Sequence, residues 1–182
     1  MINFTATYTD QYQLAMAQVY FKSGQKDDHS VFDGGYAIFA GLEYLLGILE
    51  NLQFSKEDLE FLNKQQFDED FIDFLKDFRF RGRIRSVKEG DVVFPNRPVL
   101  QVEANIMEAQ LAETIILNIL NFQTLIATKA SRIDLVARGR TLIDFGLRRA
   151  QGPGGYFASR AAVIGGFYAT SNVVAGKDFD IP

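Results

Sequence analysis

The sequence predicts an α/β protein in which an α+β region comes first and the opening units of a parallel α/β layer follow. Apolar residues recur at helical spacing in some stretches and at every second position in others, so helices and strands alternate. Of the 182 residues, 47% are hydrophobic and 23% are charged, a composition typical of globular domains. The pattern changes between residues 125 and 140, which divides the chain into 1–130 and 131–182.

The composition argues against several classes of function. The chain has no cysteine and one histidine, His29, so disulfides, thiolate or histidine metal sites and a Ser-His-Asp triad are not expected. The net charge of −4 predicts no general attraction to nucleic acid. The apolar runs are shorter than the ~18 residues of a membrane span, and the N-terminus lacks a signal-peptide pattern. We therefore expect a cytoplasmic protein that binds no membrane and no nucleic acid and has no metal site built from its own side chains.

Local signals predict the first elements. A cap at Thr9 or Asp10, followed by apolar residues at helical spacing, predicts a helix that ends at Gly24. A short strand is expected at 30–32. Leucines three and four residues apart predict a second helix over 41–50.

Two further helical signals follow. Ser55 and Asp58 have the spacing of a capping box, which begins a short helix. Phe71, Phe74 and Phe78 fall on one apolar stripe at helical spacing. These rings are more typical of a core than of a ligand site.

Between residues 79 and 87 the period changes to two, with arginines at every second position from Arg79 to Arg85. This pattern predicts a half-buried strand with a solvated basic face. Alternatively, the arginines contact anions or an acidic helix of a partner. Short strands bounded by turn-forming residues are expected at 92–94 and 99–102.

A long helical pattern over 107–137, with a break near 121–122 as one alternative, leads into the second region. There, 141–145 has the pattern of a buried parallel strand, 156–169 of a helix and 171–174 of another strand. Strand, loop, helix and strand in this order make a parallel unit. A closed parallel barrel needs about 250 residues, so we expect that this chain cannot close one: either its parallel sheet is small and open, or the rest of the protein is absent from this chain.

The loop at 146–155 is the candidate site, because active sites of parallel α/β folds lie at the carboxyl ends of strands. Phe145 can cover a flat heteroaromatic ring, and Arg148 and Arg149 can hold phosphate. Glycines leave backbone amides open to an anion. The alternative is a structural loop with solvated arginines. The loop matches neither a Walker A motif nor the dinucleotide-binding glycine motif.

Five segments resemble the N-terminal part of bacterial nicotinate phosphoribosyltransferase, a type II phosphoribosyltransferase family. Several long motifs in the same order are more specific than one glycine-rich loop, and the resemblance runs from Tyr8 to Pro182. In chain order, the segments are 9–17, 34–43, 120–130, 144–152 and 170–173.

The resemblance implies an activity and an architecture. The family joins nicotinate to 5-phosphoribosyl 1-diphosphate, giving nicotinate mononucleotide and diphosphate for NAD biosynthesis. ATP is hydrolysed in the step, Mg²⁺ takes part, and no prosthetic group is used. The fold is an α+β domain joined to an irregular α/β barrel, and members are commonly homodimers with shared active sites.

The resemblance also implies roles for individual residues. Phe145 would stack on the pyridine ring, and Tyr12 would stack on its other face from the second subunit. Arg148 would meet the phosphoribosyl phosphates and is the candidate catalytic residue. Arg149 would bind substrate or only form a salt bridge.

Asn172 is the candidate specificity residue. Nicotinamide-using relatives resemble this segment but place Asp at the position aligned with Asn172. An Asp accepts hydrogen bonds from an amide NH₂ and repels a carboxylate, whereas Asn can donate to the nicotinate carboxylate. The alternative is a strand-end Asn that only satisfies loop backbone.

Two departures from the family pattern matter. Family members carry a longer aromatic and basic segment where Asp33 here joins Gly34 directly. The family's phosphorylated histidine is expected beyond Pro182, and His29 does not match its motif. We therefore expect this chain to be an incomplete part of the enzyme, inactive alone and unable to couple ATP hydrolysis.

Other functions stay open at this point. The chain could be a non-catalytic assembly or interaction fragment of the enzyme, or part of a related type II enzyme that uses nicotinamide or quinolinate. A carrier-like β module at 82–104 is less favoured, because its turns lack the exposed lysine that such carriers modify.

Overall fold

In the computed structural model of the chain, residues 2–9, 14–21 and 35–182 are described, the first two stretches by their backbone alone. An α+β region comes first. Its strands and helices are β1 Ile2–Thr9, β2 Leu14–Phe21, β3 Ala37–Ile38, α1 Leu42–Glu50, α2 Lys56–Lys64, α3 Glu69–Lys76, β4 Arg83–Ser86, β5 Val92–Val93 and β6 Pro98–Asn105.

A long helix then leads into a short parallel unit, so the predicted fold class is confirmed. The remaining elements are α4 Ile106–Ala137, β7 Ile143–Asp144, a 3₁₀ helix Gly146–Arg149, α5 Gly154–Ile164, β8 Ala169–Thr170 and α6 Val173–Phe179. Helix α4 runs across residue 130 without a break, so no helix end marks a boundary there. The division of the chain into 1–130 and 131–182 stays a prediction.

Three sheets organise the described strands. Four antiparallel strands lie in the order β1-β2-β6-β4, and β3 pairs with β5 in a small antiparallel sheet. The third sheet is the parallel pair of β7 and β8, in which Asp144 lies beside Thr170. The two antiparallel sheets belong to the first region, and the parallel pair forms the edge on which the candidate site is built.

The predicted helix from Thr9 to Gly24 is wrong over Leu14–Phe21, which is β2. This strand is paired on both sides, with β1 and with β6, as Ala17 shows by facing Ala6 and Val102. Non-local backbone pairing here overrides a helical spacing that is visible locally. Outside the described residues lie Tyr12, His29, the strand expected at 30–32 and the junction of Asp33 with Gly34.

The helices α1 to α3 confirm the local predictions. The Ser55 Oγ accepts a hydrogen bond from Asp58 N at 3.1 Å, and Asp58 Oδ2 accepts one from Ser55 N at 2.8 Å, which completes the capping box. Phe78 is buried, and its ring meets that of Phe74 edge to face with centroids 5.7 Å apart. The phenylalanine stripe is therefore part of the packing of this region.

The arginine-rich strand is shorter than predicted. Only Arg83–Ser86 is a strand, β4, at one edge of the four-stranded sheet. The alternation holds, because Arg83 and Arg85 are exposed while Ile84 between them is half-buried. This is the predicted half-buried strand with a solvated basic face.

Helix α4 is one continuous helix of 32 residues, so the alternative with a break near 121–122 is wrong. Its first half packs Ile116 and Leu120 into the core of the α+β region, and its second half packs Ala127 against Ala161 of α5. By length and composition α4 could cross a membrane, but 44% of its most apolar window is buried inside the protein. A core helix passes the same test, so this is weak evidence for a span.

Three predictions for the second region need correction. β7 is parallel as predicted but not buried, since Ile143 is 47% exposed. The helix expected over 156–169 ends at Ile164, because Gly166 takes a left-handed φ of 110° and Phe167 N closes the helix end on the Ala162 carbonyl oxygen at 3.0 Å. The strand expected at 171–174 is instead the start of α6.

Candidate active site

The carboxyl ends of β7 and β8 bring two connections to one edge. Ser171 N donates to the Asp144 carbonyl oxygen at 2.8 Å, which extends the parallel pairing past Thr170. The segment after β7 carries Phe145 and the two arginines, and the segment after β8 carries Asn172. Ligands of parallel α/β folds bind at such an edge.

Asp144 joins the elements that form this edge. Its Oδ1 accepts from Gly146 N at 2.7 Å, and its Oδ2 accepts from Ser159 Oγ at 2.9 Å and from Thr170 Oγ1 at 3.0 Å. The two hydroxyl oxygens lie 3.1 Å apart. We call Asp144, Ser159 and Thr170 the Asp144 cluster. It ties β7, α5 and β8 together through one carboxylate.

The sequence analysis did not identify the Asp144 cluster as part of the site. Ser159 and Thr170 lie 15 and 26 residues from Asp144, so spacing alone does not pair them. One signal was present, because an acidic residue at the end of an apolar strand, directly before the candidate loop, needs hydrogen-bond donors.

Gly146 allows the chain to turn closely under this carboxylate. A Cβ at Gly146 would lie 2.8 Å from Asp144 Oδ1, too close for a side chain without movement of the aspartate. The predicted loop then begins with one turn of 3₁₀ helix, Gly146–Arg149. This turn keeps Phe145 63% exposed.

Arg148 and Arg149 are both exposed at the end of the 3₁₀ helix. In the part of the chain that the structure describes, neither guanidinium forms an ion pair with a carboxylate. The alternative in which Arg149 only forms a salt bridge is therefore not seen there. Two unpaired guanidinium groups beside an exposed ring suit an anionic ligand with a planar part.

Asn172 does not end a strand but caps helix α6. Its Oδ1 accepts from Ala175 N at 3.3 Å, and its backbone N donates to Thr170 Oγ1 at 3.1 Å. The side chain is 5% exposed. Because the cap uses only the amide oxygen, the Nδ2 donor is the group that a ligand carboxylate would meet. Asn172 thus accepts a hydrogen bond from the backbone, as the structural alternative predicted. The cap does not use its Nδ2 donor.

Tyr12 lies outside the described residues, so its place opposite Phe145 stays a prediction. Within the described ranges, no three acidic or histidine side chains come together as a metal site. The structure thus brings together Phe145, Arg148, Arg149 and Asn172 of the predicted site.

A second polar group lies on the other side of α5. Arg160 Nη1 donates to Glu89 Oε1 at 2.9 Å and Nη2 to Glu89 Oε2 at 2.7 Å, and Nη2 also pairs with Glu43. We call Arg160, Glu89 and Glu43 the Arg160 cluster. It joins α5 to the turn before β5 and to α1.

The ionised form of Glu89 is favoured in the fold. Burial raises the pKa of Glu89, but hydrogen bonds from Arg160 and from the amides of Gly41 and Leu42, with the Arg160 charge, hold it below its ordinary value. The Glu89 hydrogen bond correspondingly raises the pKa of Arg160, against the effect of burial.

A groove of about 670 Å³ lies between α1, α4 and the start of α5. Its walls include Ile48, Ile119, Phe122 and Phe157, and no charged side chain lines it. The groove reaches the candidate loop at Gln151, but its walls do not suit a phosphate group.

Comparison with protein families places these residues in context. Residues 7–121 match the family model of the nicotinate phosphoribosyltransferase N-terminal domain. The chain is 46% identical over 186 residues to a nicotinate phosphoribosyltransferase of Bacillus subtilis, covering 96% of this chain and 38% of that protein. It is 41% identical over 192 residues to nicotinate phosphoribosyltransferase 1 of Arabidopsis thaliana, covering 98% of this chain and 34% of that protein. The chain thus spans well under half the length of these relatives.

Solved structures show the same likeness. The human nicotinic acid phosphoribosyltransferase superposes with a TM-score of 0.82 at 33% identity, covering 93% of this chain and 34% of that chain. A nicotinate-nucleotide pyrophosphorylase from Pyrococcus furiosus superposes with a TM-score of 0.66 at 22% identity, over 91% of this chain and 34% of that chain. At the lower identity the likeness shows the fold alone.

Proposed function

The chain belongs to the nicotinate phosphoribosyltransferase family, and from this premise we propose that it acts in joining nicotinate to 5-phosphoribosyl 1-diphosphate. The products would be nicotinate mononucleotide and diphosphate, as a step of NAD biosynthesis in the cytoplasm. ATP hydrolysis would be coupled to the step. The enzyme would work as a homodimer with shared sites.

One structural observation supports this proposal at the level of individual residues. The Asp144 cluster holds the two strand ends so that an exposed ring, two guanidinium groups without an ion-pair partner among the described residues, and the Asn172 amide lie on one edge. A ring, an anion of high charge and a carboxylate are the three parts that the two substrates present. No group for covalent catalysis is needed at this edge.

The mechanism we propose is electrostatic. The bond from C1 of the ribose to the diphosphate breaks with its electron pair going to diphosphate. The pyridine nitrogen then uses its lone pair to form the new bond to C1. Arg148, with Arg149 beside it, would stabilise the phosphates and the departing charge, and Phe145 would hold the ring in line. Asn172 would donate to the nicotinate carboxylate.

Mg²⁺ would take part through the substrate. Since no three acidic or histidine side chains come together in the described ranges, the ion would be carried by the diphosphate oxygens, where it neutralises charge. Asp144 has its carboxylate engaged by Gly146, Ser159 and Thr170, so its role is to hold the segment rather than to bind metal.

Label transfer tests the proposal. The purified protein is incubated with ring-labelled nicotinate, 5-phosphoribosyl 1-diphosphate and Mg²⁺, with and without ATP, and nicotinate mononucleotide is measured. Parallel reactions contain labelled nicotinamide or quinolinate, and the Arg148→Ala variant is the control for site-dependent transfer. We expect no transfer from the 182-residue chain alone, and in the complete enzyme we expect transfer from nicotinate that ATP increases and Arg148→Ala abolishes.

Calorimetric binding of nicotinate separates the alternatives. Transfer from nicotinamide or quinolinate alone would contradict the substrate assignment. In the complete enzyme, binding of nicotinate without transfer would support the site and overturn the catalytic role. Neither binding nor transfer would favour a non-catalytic assembly role.

A further inference from the structure

Helix α5 contacts two polar clusters through adjacent residues. Ser159 donates to Asp144 at 2.9 Å and is fully buried. Arg160, the next residue, turns to the other side and forms a two-pronged contact with Glu89 at 2.7 and 2.9 Å. A displacement of α5 at Arg160 must therefore move the donor that holds Asp144.

The Glu89 end of this connection is itself held firmly. Its turn is pinned to the buried Phe39, since Gly90 N donates to Phe39 O at 2.8 Å and Phe39 N to Asp91 O at 3.0 Å. Glu89 Oε1 also accepts from Gly41 N at 2.5 Å and Leu42 N at 2.9 Å. Glu89 thus caps α1, which has no side-chain cap from Gly41.

The contact is partly shielded from water on both sides. The side chains of Arg160 and Glu89 are 13% and 17% exposed, whereas that of Glu43 is 80% exposed. A two-pronged guanidinium–carboxylate contact fixes direction as well as distance. Glu43, in contrast, adds an outer contact that water screens.

We propose that Arg160 and Glu89 are positioning residues for the candidate active site. They hold α5 to the α+β region, and α5 through Ser159 and Asp144 holds the segment that carries Phe145 and Arg148. This positioning role depends on the proposed function only for the identity of the ligand, nicotinate. The coupling from Glu89 to Asp144 is a property of the fold.

A purely structural contact would behave differently. It would contribute to global stability, so its loss would raise hydrogen exchange at every slowly exchanging amide by the same factor. A positioning contact raises exchange at the amides that Asp144 holds, Gly146 N and Ser171 N, by a larger factor than at amides in the core of α4, which report global stability alone.

Amide exchange of the whole chain, followed by NMR, tests the coupling. Glu89→Gln keeps the acceptor for the α1 amides but places an NH₂ against Arg160, and Arg160→Met keeps the stem and removes the guanidinium. Glu43→Gln is the matched control on the exposed side. In both test variants we expect exchange at Gly146 and Ser171 to rise by about tenfold or more beyond any rise at Leu120, as in local opening.

Rescue and binding complete the test. Arg160→Lys should restore part of the protection at Gly146, because a single ammonium replaces one prong of the contact. Equal acceleration at Leu120, or no acceleration in either test variant, would overturn the proposal. A Glu43→Gln effect as large as that of Glu89→Gln would also overturn it.

Nicotinate titration then separates this proposal from the proposed function. If wild type binds nicotinate, the test variants should bind about tenfold more weakly, a difference of ~1.4 kcal/mol, and the control should match wild type. Equal binding by all variants would overturn the positioning role. If wild type binds no nicotinate, the proposed function fails, and the exchange data still decide whether Glu89 and Arg160 position the Asp144 segment.

Discussion

Phe145 combines an exposed ring with a backbone next to a hydrogen-bonded turn. It follows directly after the hydrogen-bonded Asp144, so its backbone is well held, yet its ring is 63% exposed. An exposed ring on a fixed backbone loses little conformational freedom when it stacks on a planar ligand. This property supports the proposed stacking of Phe145 on the pyridine ring.

We expect Phe145→Ala to weaken nicotinate binding. Stacking contributes ~0.5–1.5 kcal/mol beyond area burial, which at its upper end is about a tenfold change in Kd. Titration calorimetry measures the change. Phe94→Ala is the control, since Phe94 is also an exposed phenylalanine but follows β5, in the small antiparallel sheet of the first region. Unchanged affinity in Phe145→Ala would refute stacking.

The cap made by Asn172 sharpens its specificity test. Asp is as good a cap as Asn, so Asn172→Asp should keep the contact with Ala175 and leave stability nearly unchanged. It replaces the Nδ2 donor by a carboxylate oxygen. Loss of a hydrogen bond to a charged group costs ~1.5–3 kcal/mol, so nicotinate binding should fall by roughly ten- to a hundredfold.

The decisive quantity for Asn172 is the ratio of kcat/KM for nicotinate and nicotinamide. Asn172→Asp should shift this ratio towards nicotinamide. Thermal unfolding of the same variant shows that the helix cap survives. An unmoved ratio in a protein of normal stability would mean that another residue selects the substrate.

At the scale of elements, the crossing of α4 and α5 depends on Gly165. A Cβ there would meet the Ala127 carbonyl oxygen at 2.3 Å and the Ala130 Cβ at 2.6 Å. Gly47, inside α1, has open space around the same position. The Gly→Ala substitution can therefore be compared at a tightly packed position, Gly165, and at a position with free space around it, Gly47.

Gly165→Ala and Gly47→Ala should change stability in opposite directions. Overpacking at the crossing costs about 1–3 kcal/mol, whereas removing a glycine from a helix interior gains roughly 0.5–1 kcal/mol. Urea denaturation of both variants measures the free energies of unfolding. If Gly165→Ala were as stable as wild type, the close approach of the two helices would be wrong.

The Glu89 contact gives stability a defined pH dependence. Because the folded pKa of Glu89 is lowered, its contribution is complete above the ordinary glutamate pKa of about 4.3. The contribution is lost as pH falls through the lowered folded pKa. Glu89→Gln should thus be less stable than wild type at neutral pH, and the gap should close in acid.

Urea denaturation at a series of pH values checks this expectation. At pH 7 the difference should be at the low end of roughly 1.5–3 kcal/mol for a charge-assisted hydrogen bond, because the pair is partly exposed. Glu43→Gln should show a smaller difference. A gap between wild type and Glu89→Gln that is constant down to low pH would contradict the assignment.

At the scale of the whole molecule, α4 is shared by both regions. Its first half packs Ile116 and Leu120 into the core of the α+β region, and its second half packs Ala127 against α5. Thr124 and Thr128 in between bind the backbone of Ala40 and Ile38. The Arg160 cluster adds a second connection. The edge that carries Phe145 is therefore held to the α+β region at two places, through α4 and through Arg160.

Subunit complementation tests whether the site is shared between two chains. If Tyr12 reaches the ring from the second subunit, mixing the Tyr12→Ala and Phe145→Ala variants, each weakened in nicotinate binding, creates dimers with one intact site. Random exchange of subunits should then restore about a quarter of the wild-type sites, since half of the dimers are mixed. Recovery of activity on mixing, against either variant alone, is the measurement. No recovery after proven exchange would place Tyr12 and Phe145 in the same chain.

What the sequence determined by itself was local. The caps, the helices α1 to α3, the alternation around Ile84 and the long helix α4 follow from interactions between residues a few positions apart. The family resemblance also came from the order of motifs along the chain. The segment with Phe145, Arg148 and Arg149 was found because its residue types stand directly after a strand.

Only the tertiary structure decided the rest, because the interactions that decide it join distant residues. β2 is a strand through pairing with β6, 78 to 91 residues away, and residue 165 must be glycine because α5 approaches α4 closely there. The Asp144 and Arg160 clusters join residues up to 117 positions apart. Local propensities are worth tenths of a kcal/mol per residue, so a sheet partner or a helix crossing overrides them, and no spacing in the chain reveals which partner that is.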